Sequence, residues 1–209
     1  MVDDSGPSET ERYLERTVDG RMIGVIKSHI GPACSSVIDV ACGSGLYGEA
    51  LAEVADRVVG IDYDSALVAA AANTGVYDQT IQMEVQALIG HEEQFEAVFC
   101  SEFLEHVPNN KFAAVIAAIE SVAVGRVVLT VPNPRSPHFK HDPTHILKYR
   151  VRPLLRLLNQ SDRFDYRLMA LGFADEWRSN PIVRTLQPVA KRAAVFSPTV
   201  LFVGKRRSS

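Results

Sequence analysis

The stretch V-I-D-V-A-C-G-S-G-L-Y-G, residues 37 to 48, decides the fold. A short apolar run leads into a loop with three glycines, and an alanine-rich segment follows. A strand that passes through a glycine-rich loop into a helix is typical of the first unit of a nucleotide-binding sheet. Gly43, Gly45 and Gly48 satisfy the spacing G-x-G-x-x-G, which is a weak signal alone, so the surrounding sequence has to decide.

The rest of the chain alternates between strands and helices. Apolar runs predict further strands at residues 57–62, 80–85, 95–100, 126–131, 164–171 and 195–204. Helical spacing predicts helices at residues 9–30, 46–55, 65–73, 111–122 and 152–160. We therefore expect an α/β fold with a doubly wound, mostly parallel, seven-stranded sheet and helices on both faces.

We expect residues 1–209 to form one domain. Residues 1–8 are predicted to be disordered, residues 9–30 to form an N-terminal helix, and residues 132–150 to form an active-site loop. The loop prediction rests on the four prolines of P-N-P-R-S-P-H-F-K-H-D-P-T-H, which begins at Pro132.

Composition excludes several classes of protein. The 209 residues are 46% hydrophobic and 22% charged with a formal net charge of -3, which disfavours a nucleic-acid partner. No apolar run approaches the roughly 20 residues of a membrane span, and the polar, acidic start is unlike a signal peptide, so we expect a cytoplasmic protein. Cys34, Cys42 and Cys100 have no C-x-x-C spacing and are expected to be reduced thiols.

Two aspartates define the kind of ligand that the glycine loop suits. Asp39 lies inside the first strand, where a carboxylate favours a cationic ligand over a pyrophosphate. Asp62 ends the second strand and can accept hydrogen bonds from both hydroxyls of a ribose, in NAD or in S-adenosylmethionine. The alternative role for Asp62 is a turn or a helix cap before Ser65.

A second group of polar residues, S-E-F-L-E-H-V at positions 101 to 107, follows the fourth apolar strand. In a helix that begins here, Glu105 and His106 would both neighbour Glu102. The loop after the fifth strand brings three further histidines to the same edge of the sheet: His138, His141 and His145. Carboxylates with imidazoles suit a divalent ion, whereas the alternative is a solvated helix start with acids that favour the dipole.

Four segments together resemble the class I S-adenosylmethionine-dependent methyltransferases. Residues 37–48 are similar to their first motif, V-V-G-I-D-Y-D to the acidic second, and the segments beginning F-E-A-V-F-C and V-V-L-T-V-P to their fourth and fifth strands. The resemblance covers roughly residues 35 to 135, and this family usually has glycine where Ala41 stands. It implies S-adenosylmethionine as the cofactor, bound by Asp39, Ala41, Gly43, Gly45, Asp62, Tyr63, Gln86 and Ser101.

The motif E-x-x-E-H resembles that of two metal-dependent groups, the ubiquinone-biosynthesis O-methyltransferases and the terminal small-RNA 2′-O-methyltransferases. The second group adds a histidine from the loop after the fifth strand, to which His145 is similar, with His141 as the alternative. The resemblance implies a site for Mg²⁺, Mn²⁺ or another divalent ion, held by Glu102, Glu105, His106 and His145. The implied catalytic residues are His106, His141 and His145, and one of the two loop histidines could act as general base.

We therefore expect a divalent-metal-dependent O-methyltransferase that acts on a vicinal diol, because two adjacent hydroxyls can chelate the ion. The acidic charge balance disfavours the ribose ends of RNA, and the chain lacks the long apolar approach expected for a polyprenyl catechol. A saccharide is therefore the acceptor that is left, such as a mannoside in polysaccharide biosynthesis. The alanine, valine and arginine content fits an actinobacterial source. The small-molecule or oligosaccharide acceptor makes a membrane partner unexpected, and a homodimer is left open. The alternatives are a metal-free small-molecule methyltransferase acting on O, N or carboxylate, an NAD-dependent oxidoreductase, and a domain that binds without catalysis.

Overall fold

The computed structural model describes residues 9–135, 139, 142, 144–147, 149–171, 180–192 and 197–208. Residues 1–8, with their predicted disorder, lie outside this set. Within the described residues, no helix combines the length and the apolar character needed to cross a bilayer.

Strands and helices alternate along the described residues. The strands are β1 (Val37–Val40), β2 (Val58–Asp62), β3 (Gln79–Gln82), β4 (Phe95–Ser101), β5 (Ala123–Pro132), β6 (Phe164–Ala170) and β7 (Thr199–Arg206). The α-helices are α1 (Glu9–Leu14), α2 (Gly20–His29), α3 (Gly48–Ala52), α4 (Ser65–Asn73), α5 (Phe112–Ser121), α6 (Val151–Leu158) and α7 (Pro181–Arg192). Short 3-10 helices span Val85–Leu88 and Leu104–His106.

The seven strands form one sheet in the order β3-β2-β1-β4-β5-β7-β6. Strands β1 to β5 pair in parallel, and β7 runs antiparallel to both of its neighbours. The strand order reverses at β1, which has β2 on one side and β4 on the other. A crevice for a ligand is expected outside the carboxyl ends of the strands at such a point. The predicted fold class is confirmed.

The two faces of the sheet bury different sets of apolar side chains, since successive residues of a strand point to opposite sides. Ile38 and Val40 of β1 belong to the hydrophobic cluster that includes α5 and α6. Val37 belongs to the cluster that includes α2 and α3. Each fully buried aliphatic side chain of this kind contributes about 1.5–3 kcal/mol to folding. Helices cover both faces of the sheet, so a ligand site is expected at the carboxyl ends of the strands.

The single helix predicted for residues 9–30 is wrong, because the segment forms α1 and α2 with a break between them. Asp19 is the N-cap of α2, and its side chain accepts a hydrogen bond from the backbone N–H of Arg21 at 2.9 Å. Aspartate favours this capping role over a helix interior. As a result α1 is a separate helix, which contacts α4 beside the crevice.

Other elements differ from the predictions at their ends. Strand β3 stops at Gln82, three residues before the predicted end, and a 3-10 helix begins at Val85. Helix α7 was not predicted: Pro181 is at a first helical position, where proline is tolerated, but Pro188 lies inside the helix, where it is unfavourable.

Candidate active site

A cavity of ≈ 480 Å³ opens where β1, β2 and β4 end. Six of the eight predicted cofactor-binding residues line it: Asp39, Ala41, Gly43, Asp62, Tyr63 and Ser101. Gln86 lines an adjoining cavity of ≈ 180 Å³, which shares part of its wall with the first. Gly45 lies behind the lining, where a Cβ atom would be 3.1 Å from the ring of Tyr77.

Asp39 presents its carboxylate to the cavity from inside the sheet. It is 3% exposed, and the hydroxyl of Tyr77 donates a hydrogen bond to its Oδ2 at 2.7 Å. Burial raises the pKa of Asp39 to about 7, the hydrogen bond from Tyr77 opposes this rise, and the charge of Asp62 adds to it. Such a carboxylate is suited to accept hydrogen bonds from a cationic amino group.

Asp62 ties the glycine loop to the end of β2. Its Oδ2 accepts a hydrogen bond from the N–H of Gly43, and its Oδ1 accepts one from the N–H of Asp64, both at 3.0 Å. Each carboxylate oxygen has a second lone pair, so Asp62 can also accept hydrogen bonds from ligand hydroxyls.

The backbone of the site is bent at two non-glycine residues. Ala41, which follows β1, has φ +57°, and Glu102, which follows β4, has φ +52°. The left-handed region costs an L-residue about 1–2 kcal/mol, and such strain is concentrated at functional sites. Where the family usually has glycine, Ala41 therefore keeps the loop conformation at a modest energetic cost.

Three side chains next to this cavity lie close enough together to hold one ion. Potential ligand atoms of Glu105, His106 and His145 are all within 4.8 Å of one another. Glu102 is not in this group, since a 3-10 helix begins only at Leu104 and Glu102 precedes it in a left-handed conformation. The prediction that Glu102, Glu105 and His106 share one helical face is therefore wrong, although Glu105 and His106 do lie close together.

The carboxylate of Glu105 is the unusual member of the group. Its side chain is fully buried, and among the described residues neither oxygen has a hydrogen-bond donor; the same holds for Oε1 of Glu102. Burial, with the nearby charge of Glu102, raises the pKa of Glu105 well above its usual range. Burial also raises the pKa of Glu102 to about 7. A buried carboxylate without donors needs a proton or a cation to be stable.

Both histidines are oriented by backbone carbonyls. Nδ1 of His106 lies 3.2 Å from the carbonyl oxygen of Thr144, and Nδ1 of His145 lies 3.0 Å from that of Phe139. Because a carbonyl only accepts, each Nδ1 carries a proton, and in the neutral form of either ring the lone pair is at Nε2. This arrangement is common among histidines that bind metals. Burial, with the neighbouring His145, lowers the pKa of His106 to about 4.

The loop that carries His145 is held against the end of β4 by its backbone. The N–H groups of Ile146 and Leu147 both donate to the carbonyl oxygen of Glu105 at 2.9 Å. Asp142 accepts hydrogen bonds from the N–H and the hydroxyl of Thr144, which fixes the turn before His145. The described part of the predicted active-site loop thus contacts the motif E-x-x-E-H.

Helix α1 lies over the mouth of the cavity. Thr10 donates to Asp64 at 2.6 Å, and the hydroxyl of Ser44 donates to the carbonyl oxygen of Tyr13 at 3.4 Å. The hydroxyl of Tyr13 lies 3.1 Å from Nε2 of His106. This nitrogen is the atom through which His106 could bind a cation.

Comparison with known proteins identifies the fold. Residues 37–124 match the family model described as a methyltransferase domain. A solved S-adenosylmethionine-dependent methyltransferase from Archaeoglobus fulgidus has a TM-score of 0.64 at 18% identity and covers 88% of this chain and 90% of its own. The fold is that of the class I methyltransferases.

Two further relatives share this methyltransferase fold or part of its sequence. Magnesium protoporphyrin IX methyltransferase from Synechocystis PCC 6803, solved with bound S-adenosylmethionine, has a TM-score of 0.60 at 15% identity and covers 98% of this chain and 86% of its own. Over 90 residues the chain is 38% identical to the ubiquinone biosynthesis O-methyltransferase of Azoarcus sp. strain BH72. This match covers 40% of the chain and 38% of that relative, so it spans well under half of either protein.

The methyltransferase fold brings most of the predicted site residues together. His138 and His141 lie outside the described residues. Of the loop histidines, the structure therefore describes His145 alone, and it lies in the group of three potential ligands.

Sequence reasoning missed two tyrosines. Tyr13 and Tyr77 contact His106 and Asp39 through their hydroxyls. Tyr13 belongs to an ordinary helical pattern, so no signal could have found it. The glycines that surround the ring of Tyr77 were the available signal, and they were assigned to the cofactor.

Proposed function

We propose that this chain binds S-adenosylmethionine in the main cavity and transfers its methyl group to a hydroxyl oxygen. Asp39 would accept from the amino group of the cofactor and Asp62 from its ribose hydroxyls. The adjoining cavity at Gln86 would receive the adenine. In the transfer, the bond between sulfur and methyl breaks, a bond between methyl and oxygen forms, and the hydroxyl loses its proton.

The observation that carries the acceptor half of the proposal is the buried carboxylate of Glu105, whose two oxygens have no donor in the part of the chain that the structure describes. Together with Nε2 of His106 and of His145 it forms a donor set of oxygen and nitrogen that fits a divalent cation. Glu102, with one oxygen lacking a donor, is the proposed fourth ligand. When bound, a divalent cation acts as a Lewis acid that lowers the pKa of a hydroxyl. Mg²⁺ is the proposed ion on grounds of cellular abundance, with Mn²⁺ as the second.

The residues of the chain supply orientation and proton transfer. The carbonyls of Thr144 and Phe139 keep the lone pairs of both histidines at Nε2. A loop histidine that does not bind the cation would take the proton of the acceptor, and His141 and His145 are the two candidates. His106 is a weak base, because its pKa is lowered to about 4, and we assign it to the cation.

The proposed acceptor is a small molecule or oligosaccharide with two adjacent hydroxyls, rather than a nucleic acid. A saccharide is proposed by elimination, because the formal net charge of -3 disfavours the ribose ends of a nucleic acid. The 38% identity to an O-methyltransferase named for ubiquinone biosynthesis favours a catechol as the second class of acceptor. A homodimer stays a prediction that light scattering can test.

The test combines calorimetry with a transfer assay on the full chain. S-adenosylmethionine should bind in EDTA, and transfer to a mannoside or a catechol should vanish in EDTA and return with Mg²⁺ or Mn²⁺. A comparison of the two acceptors decides the substrate class. Undiminished transfer in EDTA would contradict the metal proposal and favour the metal-free methyltransferase. Binding of NADH without binding of S-adenosylmethionine would overturn the methyltransferase itself.

A further inference from the structure

We propose that Tyr77 is a positioning residue for the cofactor: it holds the carboxylate of Asp39 by Oδ2 and leaves Oδ1 for the amino group of the ligand. This inference rests on the proposed binding of S-adenosylmethionine. It gives a role to a residue outside the glycine motif, located between α4 and β3.

The contact is specific to one oxygen of the carboxylate. The hydroxyl of Tyr77 donates to Oδ2 of Asp39 at 2.7 Å. Among the described residues, no other hydrogen bond to this carboxylate is found, and Asp39 lines the main cavity. The hydrogen bond from Tyr77 thus fixes the rotamer of Asp39, and Oδ1 remains available to a ligand.

The ring of Tyr77 sits in a cradle made by three glycines. A Cβ atom would lie 2.5 Å from the ring at Gly48, 2.9 Å at Gly60 and 3.1 Å at Gly45. Contacts below 3.0 Å require something to move, so side chains at Gly48 and Gly60 would displace the ring. Two of these glycines belong to the loop motif and the third to β2. The three glycines therefore hold the ring of Tyr77, and with it the hydroxyl, in one place. Tyr77 can orient Asp39 only because its own position is fixed.

The hydrogen bond from Tyr77 affects how much of Asp39 is ionised, because the other groups around this carboxyl raise its pKa. The titratable groups that face it are Asp62 from β2, the Cys42 thiol from the glycine loop, the Cys100 thiol from β4 and Tyr77 itself. Burial and Asp62 both raise the pKa of Asp39, and the hydroxyl of Tyr77 is the group that lowers it. Without that hydroxyl, more of Asp39 would be protonated at neutral pH and its attraction for a cationic amino group would weaken.

The test is Tyr77→Phe, which keeps the ring in its cradle and removes the hydroxyl alone. The affinity for S-adenosylmethionine is measured by calorimetry from pH 5.5 to 9. Loss of a hydrogen bond to a charged group predicts affinity about 10-fold weaker at pH 7. The midpoint of the pH dependence should also move upward by about half a unit or more. The titration of the cofactor itself is common to all variants, so a difference between variants reports on the protein.

Tyr166→Phe is the matched control. The hydroxyl of Tyr166 donates to the buried Glu120 at 2.9 Å, and a Cβ atom at Gly204 would lie 2.7 Å from its ring. This variant loses the same kind of contact on another part of the sheet, and it should keep the affinity and the pH midpoint of the wild type. Asp39→Asn should bind weakly, and its pH dependence should show only the titration of the cofactor.

The outcomes separate the inference from the function on which it rests. An unchanged affinity and midpoint in folded Tyr77→Phe would overturn the inference. Weaker binding by the same factor at every pH would also overturn it, because that pattern indicates a structural role. If the wild type does not bind S-adenosylmethionine, the proposed function fails. The carboxyl carbon of Asp39, followed by NMR, then decides whether Tyr77→Phe raises its pKa.

Discussion

Two pairs of acidic residues stand at the same edge of the sheet and differ in their hydrogen bonds. Asp39 and Asp62, at β1 and β2, accept from Tyr77 and from the N–H groups of Gly43 and Asp64. Glu102 and Glu105, after β4, together have three oxygens that find no donor within the described ranges. The aspartates are therefore preorganised by the protein for the polar groups of a ligand. The glutamates depend on a proton or a cation from outside.

The two pairs are linked through His106. This side chain lines both cavities, and it also belongs to the group of three potential ligands. A methyl donor in the main cavity and a hydroxyl beside the proposed cation would therefore be neighbours. Proximity of this kind contributes strongly to the rate of a transfer between two substrates.

Neutralising Glu105 should have the largest effect on the difference between the pairs. Glu105→Gln keeps the shape of the side chain and removes its charge, so we expect turnover to fall by about 100-fold or more, as several kcal/mol of charge stabilisation is lost. The affinity for S-adenosylmethionine should change little. Turnover, calorimetry with the cofactor and a Mn²⁺ titration measure the three quantities.

Glu120→Gln is the control for that variant. Glu120 is also a buried glutamate, but its two oxygens accept from Tyr166 at 2.9 Å and from Ser161 at 2.7 Å. This change should lower stability and leave Mn²⁺ binding intact. Wild-type turnover in Glu105→Gln would show that the charge of Glu105 is not needed for the transfer.

The sequence predicted the positions of Asp39 and Asp62 better than the backbone around Glu102 and Glu105, and the reason is physical. Asp39 and Asp62 follow from strand, loop and strand in direct succession, where local spacing fixes geometry. Glu102 was placed on a helical face, whereas the backbone turns left-handed there and the helix starts later. The hydroxyls of Tyr13 and Tyr77 reach partners 93 and 38 residues away, and such contacts depend on packing that no local pattern encodes.

The pH dependence of stability should sharpen the comparison. The folded-state pKa of Glu105 is raised well above its usual range, and that of Glu102 to about 7, so the folded chain binds protons that the unfolded chain has released. Stability from this source is complete below about pH 4.3 and is lost as pH rises through the folded-state values. His106, with its pKa lowered to about 4, acts in the opposite direction below about pH 6.5, so the test belongs above that value.

In EDTA, we therefore expect the free energy of unfolding to fall between pH 6.5 and 8, by up to about 1.4 kcal/mol per unit for each proton released. Urea denaturation at several pH values measures the slope. Glu105→Gln should make the slope shallower without abolishing it, because Glu102 and Asp39, with pKa values raised to about 7, still titrate in this range. Mn²⁺ should stabilise the wild type most at pH 8, where a cation no longer competes with a proton. A slope that is flat or positive in EDTA would contradict the burial of an uncompensated carboxylate.

Removing the hydroxyl of Tyr13 should have the smallest effect, and it tests whether the cation uses His106. The hydroxyl occupies Nε2 of His106 at 3.1 Å, so a cation at this nitrogen must displace it. Tyr13→Phe should therefore bind Mn²⁺ more tightly, by about 2- to 10-fold for one hydrogen bond of roughly 0.5–1.5 kcal/mol. Electron paramagnetic resonance measures free Mn²⁺ in the titration. Tyr47→Phe is the control, because Tyr47 lines the same cavity and packs its ring against Phe99 instead. Equal or weaker binding in Tyr13→Phe would mean that Nε2 is not a ligand, and that Tyr13 instead fixes His106 as part of the wall between the two acid pairs.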